Sequence, residues 1–442
     1  IMEMLLSHHN VDVQWGNHDI VWMGAAAGSE VCVAVVLNSA LQYNTLSIVE
    51  SAYGISLRDL IGYAQETYRG SATFMPRNQE ENYYVKNNMD TLCRAHKAIA
   101  VILFKLEGRL IARHPEYGMD DRRLLDKIDY ENGTILLGDR RYPLNDTDFP
   151  TIDPADPYAL TEAEQALMLS LTQSFRQSAS LRRHIDFLYR CGSLYKVFNG
   201  NLIFHGCIPM AEDGSFEAVQ VRDGRVLSGR AYMDYCDQTA RAAYYSHDRD
   251  SLDFMWYLWC GRRSPLFGRD RMTTFERYFL ADQSTWVENK NFYYRAVERY
   301  DDVCRILREF GLDERTGHLI NGHVPVRASA GESPIKANGR YLLIDGGFCR
   351  AYHDRTGIAG YTLIFSSRGM RLVAHSPFAG KEAAIRENRD ILAATDVVFE
   401  RMNRRMLVCD TDEGHALTER MHELKRLLDA YRAGVIKEPN EF

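Results

Sequence analysis

Alternating and helical-period segments follow one another along the chain in a way that predicts a mixed α/β fold. Val11-Asp12-Val13-Gln14-Trp15 alternates and is rich in β-formers, which predicts a short strand. It runs into the polar tetrapeptide Gly16-Asn17-His18-Asp19. The apolar stretch from about Gly24 to Tyr43 then predicts a buried helix. Strand, polar turn and helix in that order put the polar residues at a strand's C-terminal end, where ligands collect in α/β sheets.

Residues 50–190 read as mainly helical. Ser56-Leu57-Arg58-Asp59 starts a helix with Leu57, Leu60, Ile61 and Ala64 on one face. Leu92 to Leu110 carries apolar residues at helical spacing. The stretch 130–160, with Pro143, Pro150, Pro154 and Pro157 among acidic residues, reads as loop. Thr161-Glu162-Ala163-Glu164 opens a long helix to about Tyr189. Strand signals resume at Leu194 to Phe198, and Asn199-Gly200 turns the chain into Leu202-Ile203-Phe204-His205, a strong hairpin signal. Further strands are expected at His318 to Ile320, Tyr341 to Asp345, Gly360 to Ser366 and Arg371 to Ala374, with helix from Lys381 onward. The expected organisation is 1–49, the end of the first half of a core; 50–190, a helical insertion; 191–380, the second half; and 381–442, a helical region.

Bulk properties remove whole classes of function. The 442 residues are 45% hydrophobic and 26% charged, ordinary for a soluble globular protein. A net charge of −7 and the lack of a polybasic run argue against nucleic acid as a partner. No stretch reads as a membrane span, because the apolar run from Gly24 to Leu41 contains Glu30, Asn38 and Ser39. Nine cysteines, with no Cys-x-x-Cys pair, fit reduced thiols and a cytoplasmic location better than a disulfide framework.

Three polar clusters carry candidate chemistry, each at the end of an expected strand. They are Gly16-Asn17-His18-Asp19, His205-Gly206-Cys207 and Asn321-Gly322-His323-Val324-Pro325. Imidazole nitrogen and amide oxygen both ligate borderline divalent metals such as Mn²⁺, Zn²⁺ and Fe²⁺. A glycine beside each lets the backbone turn sharply and approach an ion or its phosphate ligand. Two metals ~3.5–4 Å apart can hold a phosphoryl oxygen and an attacking hydroxide. Any one cluster alone is ordinary turn material; the three in this order are not. Arg262, Arg263, Arg269 and Arg271 add guanidinium groups, whose fork matches two phosphate oxygens. Phe254, Tyr257 and Leu258 read as core, Asp345-Gly346-Gly347 as a hairpin turn and His353-Asp354 as a surface pair.

The clusters, in this order, resemble the third, fourth and fifth motifs of calcineurin-like metallophosphatases. The surrounding text is more specific. Val11 to Gly28, Trp256 to Gly268 and Tyr341 to Phe348 resemble class III fructose-1,6-bisphosphatase, and the resemblance spans essentially the whole chain. It implies a two-sheet sandwich flanked by helices, with a large helical insertion. It implies hydrolysis of fructose 1,6-bisphosphate, a gluconeogenic reaction, with two divalent metal ions, manganese favoured. By the same resemblance Asn17, His205 and His323 are metal ligands and His18 is the proton donor. Asp19 supports the turn, and Arg262 or Arg263 contacts phosphate. A sugar bisphosphate is the implied partner; a homo-oligomer is left open.

The family's opening Asp-x-His and Gly-Asp-x-x-Asp-Arg motifs are not found, and the one Gly-Asp, Gly138-Asp139, continues as Arg140-Arg141. The expectation is therefore that both motifs precede Ile1 and that this chain is inactive alone. Two other readings stand beside it: a protein Ser/Thr phosphatase, which shares the core motifs, and a non-catalytic fragment or subunit.

Overall fold

The computed structural model describes residues 1–77, 89–345, 356, 360–376, 378, 380–388 and 393–436. From the N-terminus come α1 (Met2–Leu6), β1 (Val13–Gln14), α2 (Asn17–Ala27), α3 (Glu30–Gln42), α4 (Arg58–Thr67) and α5 (Met89–Arg113). Strands β2 (Ile128–Asp129), β3 (Thr134–Leu137) and β4 (Arg140–Pro143) precede α6 (Glu162–Gln177) and α7 (Ala179–Cys191). Next are β5 (Gly192–Ser193), β6 (Tyr195–Phe198), β7 (Asn201–Phe204), β8 (Val219–Gln220) and β9 (Val226–Leu227). Helices α8 (Gly229–Tyr245), α9 (Arg249–Cys260), α10 (Thr274–Phe279), α11 (Tyr293–Ala296) and α12 (Tyr300–Glu309) follow. The chain continues through β10 (His318–Asn321), β11 (Ile335–Lys336), β12 (Tyr341–Leu343), β13 (Gly360–Ser366) and β14 (Gly369–His375). It closes on α13 (Lys381–Glu387), β15 (Ala393–Arg401) and α14 (Asp412–Arg432). The class is mixed α/β, with helices, several small sheets and no barrel among the described residues.

Two compact units form. The first holds Ile1–Tyr195 and Phe204–Ala296; the second holds Lys196–Ile203 and Val297–Phe442. In the first, β1 pairs in parallel with β5, Val13 opposite Gly192. The fully buried Trp15 follows directly and donates from Nε1 to Leu188 O at 2.9 Å. Arg241 lies over the Trp15 ring at 4.8 Å. A Cβ on Gly192 would come within 2.3 Å of that indole nitrogen, so only glycine lets the strand reach it.

Helix α2 packs its small face against α3 and α9. A Cβ on Gly24 would stand 2.7 Å from Cys32 Sγ and 2.9 Å from Met255 Cβ. The single helix expected from Gly24 to Tyr43 is in fact two. Gly28 turns left-handed at φ 107°, and Ser29 N–H bonds back to Gly24 O at 2.9 Å, which closes α2 before α3 begins. The polar tetrapeptide is likewise not a free turn, because helix begins at Asn17.

Helix α5 runs through the core of this unit and carries two buried ammonium groups. Lys97 Nζ pairs with Asp146 (2.9 Å) and Asp148 (3.1 Å). Lys105 Nζ pairs with Glu164 (2.8 Å) and donates to Thr151 O (2.6 Å). Glu164 also accepts Thr161 N–H at 2.8 Å while Thr161 Oγ1 accepts Glu164 N–H, the reciprocal cap written in the sequence. These pairs tie the 146–164 segment to α5.

The expected loop at 130–160 contains a three-stranded antiparallel sheet, β2-β3-β4. Thr134 to Leu137 supplied the apolar run and Gly138-Asp139 the two-residue turn, Gly138 at φ 62°. The helix expected over 161–189 breaks at Ser178, whose Oγ accepts Leu181 N–H and donates to Tyr53 O.

The second unit is built on a five-stranded mixed sheet in the order β11-β12-β10-β7-β6. The β6–β7 turn has Asn199 at φ 48° and Gly200 at φ 75°, the left-handed pair that an Asn-Gly hairpin requires. His318 N–H, at the start of β10, donates to Gly200 O at 3.2 Å, so β7 and β10 start level. Strands β13, β14 and β15 form an antiparallel meander. β15 corrects the expectation of helix throughout from Lys381. The Gly346-Gly347 turn and the His353-Asp354 pair lie outside the described residues.

Glu164→Ala should leave the Lys105 ammonium buried without its carboxylate, with both side chains at 0% exposure. Losing one partner of such a pair costs about 3–5 kcal/mol. Urea unfolding checks this, and a loss below ~1 kcal/mol would mean that the pair is not buried as described.

Candidate functional site

The site residues of the first unit are placed by close backbone approaches. Gly16 caps α2: its N–H donates to Asp19 Oδ2 at 2.8 Å. A Cβ on Gly16 would meet His205 Cε1 at 3.2 Å and Nδ1 at 3.3 Å, so the His205 ring lies against this turn. Asn17, buried, is the next residue. His205 and the Gly16–Asp19 turn, distant in sequence, are thus brought together.

The segment after His205 is clamped in turn. Cys207 N–H donates to Pro265 O at 2.6 Å. A Cβ on Gly206 would stand 2.2 Å from that same oxygen and 2.9 Å from Leu266 Cα. Ser264 holds the opposite wall, with Oγ donating to Leu258 O at 2.6 Å and accepting Leu266 N–H at 3.1 Å. Burial pushes the Cys207 thiol well above its ordinary pKa, which removes it as a thiolate nucleophile.

The His18 and Trp259 rings meet in a T-shaped contact, with centroids 4.9 Å apart and planes at 72°. It keeps an exposed side, yet desolvation by the protein around it lowers its pKa below the ordinary 6.5. The Asp19 carboxyl is raised by desolvation, which outweighs the Gly16 N–H bond. Sequence reasoning missed Trp259 and Ser264. Both sat in the Trp256–Gly268 segment that carries the family resemblance, but nothing in their spacing pointed at His18 or Gly206.

The arginines are engaged with carboxylates. Arg262 Nη2 contacts both Asp121 oxygens, at 2.7 and 2.8 Å, and its Nε donates to Asp270 O at 3.3 Å. Arg263 Nε pairs with Glu217. Arg269 pairs with Glu288 at 2.9 Å and Arg271 with Asp270 at 3.5 Å. His323 belongs to the second unit, where it follows β10 at φ 67°, a left-handed conformation beside Gly322. Phe254, Tyr257 and Leu258 are core, at 5%, 3% and 0% exposure.

A metal centre can be tested on the donors present. Within the first unit the turn offers the Asn17 amide and the His205 imidazole, while Asp19 Oδ2 is spent on Gly16 N–H. Among the described residues no three His, Cys, Asp or Glu side chains group to hold an ion. These donors suit part of one ion's shell. They do not make a carboxylate-bridged pair.

Comparison with known proteins decides the family. A family profile for firmicute fructose-1,6-bisphosphatase matches residues 1–433. The chain belongs to that family. It is 51% identical over 445 residues to a class 3 fructose-1,6-bisphosphatase of Clostridium novyi (strain NT), covering 99% of this chain and 66% of the relative. Matching proteins of Clostridium beijerinckii (48%) and Clostridium botulinum strain Loch Maree (49%) bear the same class name, with 100% of this chain and 67% of each relative covered. The chain spans about two thirds of the length of these relatives. The matches run along the whole of this chain and leave about a third of each relative outside it. No solved structure matches.

Two measurements probe this geometry. Gly206→Ala should cost about 1–3 kcal/mol on chemical denaturation, since its methyl meets backbone rather than a movable side chain; an unchanged midpoint would refute the clamp. His18 should titrate below 6.5 in a ring-proton NMR experiment. A depressed folded pKa means that its contribution to stability is whole above pH 6.5 and is lost as pH falls through the folded pKa. Trp259→Ala should move the His18 pKa back up.

Proposed function

We propose that this chain hydrolyses the 1-phosphate of fructose 1,6-bisphosphate in a reaction that depends on divalent metal. One observation carries the reading: the Gly16–Asp19 turn, His205-Gly206-Cys207 and Ser264-Pro265-Leu266 meet at one place in the first unit. The first and third lie in segments that resemble class III fructose-1,6-bisphosphatase, and His205-Gly206 resembles the fourth motif of calcineurin-like metallophosphatases. The relatives' name supplies the substrate class.

We assign Asn17, His205 and His323 as ligands on the chemistry of amide and imidazole, with two ions and manganese the favoured metal. The calcineurin-like two-sheet sandwich goes with it as the architecture. The free cysteines fit a reducing, cytoplasmic setting.

In the reaction, water oxygen bonds to phosphorus in line as the bond from phosphorus to the sugar oxygen breaks. His18 gives its proton to that departing oxygen and regains one from the water. Trp259 orients the ring. Desolvation disfavours the protonated form of His18, and a phosphate dianion beside it favours the imidazolium. Arg262 or Arg263 contacts the phosphate by exchanging Asp121 or Glu217 for it.

Release of inorganic phosphate with Mn²⁺ present is the direct assay. Fructose 1,6-bisphosphate should be cleaved and a phosphoseryl peptide should not; the reverse preference makes the chain a protein phosphatase. His18→Asn should lower kcat by about 10²–10⁴ with little change in KM, the usual range for a lost general acid. His205→Ala should lower bound manganese measured by mass spectrometry, and unchanged metal content would remove His205 from the ligand set.

A further inference from the structure

Helix α14 is well anchored at one end and bare along the rest. Thr411 Oγ1 accepts Gly414 N–H at 3.1 Å, and Asp412 exchanges two hydrogen bonds with Asn199, at 2.7 and 2.9 Å. Gly414 is the one buried residue of its 21. An isolated helix of this length is marginal in water without a packed face. Its apolar residues are nonetheless ordered. Leu417, Met421, Leu424, Leu428 and Tyr431 stand 39–69% exposed. The steps are four, three, four and three residues, the a/d repeat of a coiled coil.

We propose that α14 pairs with α14 of a second copy of this chain as an antiparallel two-helix coiled coil. A seam with this repeat accepts another helix of the same repeat, and a two-fold axis supplies one from the same sequence. The antiparallel register sets Met421 against Tyr431 and Leu424 against Leu428. It also accounts for Leu427, which lies off the seam yet is apolar and 44% exposed: its mate meets it at the two-fold axis. Parallel pairing would put Arg420 against Lys425 twice. Antiparallel pairing leaves a single Lys425–Lys425 approach, with Asp429 of the second copy beside each lysine. Opposed helix dipoles favour the same choice. The two faces together bury on the order of 1,000 Å², the lower bound for specific association, so the dimer should dissociate at micromolar dilution.

Light scattering on the full chain, read across concentration, should give twice the monomer mass, falling to the monomer on dilution. Leu424→Asp with Leu428→Asp should abolish the dimer and leave phosphate release unchanged, since neither residue is in the site. A monomer at all concentrations, or a dimer indifferent to both substitutions, overturns the proposal. In a Cys409→Ser background, Leu427→Cys should crosslink on oxidation and Met421→Cys should not. The opposite pattern would mean parallel pairing and overturns the register.

Discussion

The site of the first unit depends on backbone approaching backbone without a side chain between. Gly206 lies so near the Pro265 carbonyl that a methyl group there would overlap it. That contact seats Cys207 N–H on the same oxygen and fixes the direction in which His205 leaves β7. His205 in turn lies against Gly16, where a Cβ would already be tight. Two glycines, one that the imidazole lies against and one that follows His205 in the chain, thus set its place through sterics rather than through attraction. Everything else named in the site is reached through them. Asn17 and His18 open the helix that Gly16 caps, and the Trp256–Gly268 segment presents both the Pro265 wall and Trp259.

Charge is arranged around this frame in two ways. Deep in the first unit, Lys97 and Lys105 are held by carboxylates of the 146–164 segment, and these pairs are so buried that removing one partner is worse than never having had the pair. Nearer the surface, Arg262 and Arg263 are half open and paired with Asp121 and Glu217. Such pairs are worth little to stability, which leaves the guanidiniums able to change partner at small cost. His18 lies between these regimes: enough protein surrounds it to disfavour its charge, and enough of it is open for an incoming anion to reverse that.

Family membership and geometry contribute different things. Relatives about half identical over the whole chain establish which reaction class to consider. They say nothing about which residues touch. The meeting of the tetrapeptide turn, the His205 loop and the Pro265 wall is a property of the folded first unit, and it joins segments that the resemblance had marked only one by one.

Local patterns were legible where one residue type dictates the backbone. Asn199-Gly200 specified a hairpin because both positions need positive φ, and Thr161 with Glu164 specified a helix start because each can satisfy the other's backbone donor. The alternation around Val13 and the apolar runs ending at Phe204 and Asn321 marked strands for the same local reason. Breaks were harder. Gly28 and Ser178 divide stretches whose helix-forming residues resume directly on the far side, and the proline-rich surroundings of Thr134 to Leu137 hid a sheet whose only signal was a four-residue run before Gly138. β15 was hidden because pairing with β14, a non-local partner, decides it. The candidate ligands could be named from residue type and order, since imidazole and amide chemistry is carried by single residues. That His205 lies against Gly16, that Trp259 meets His18 and that the arginines are tied to Asp121 and Glu217 depend on distances between segments far apart in the chain. Only tertiary packing sets those distances.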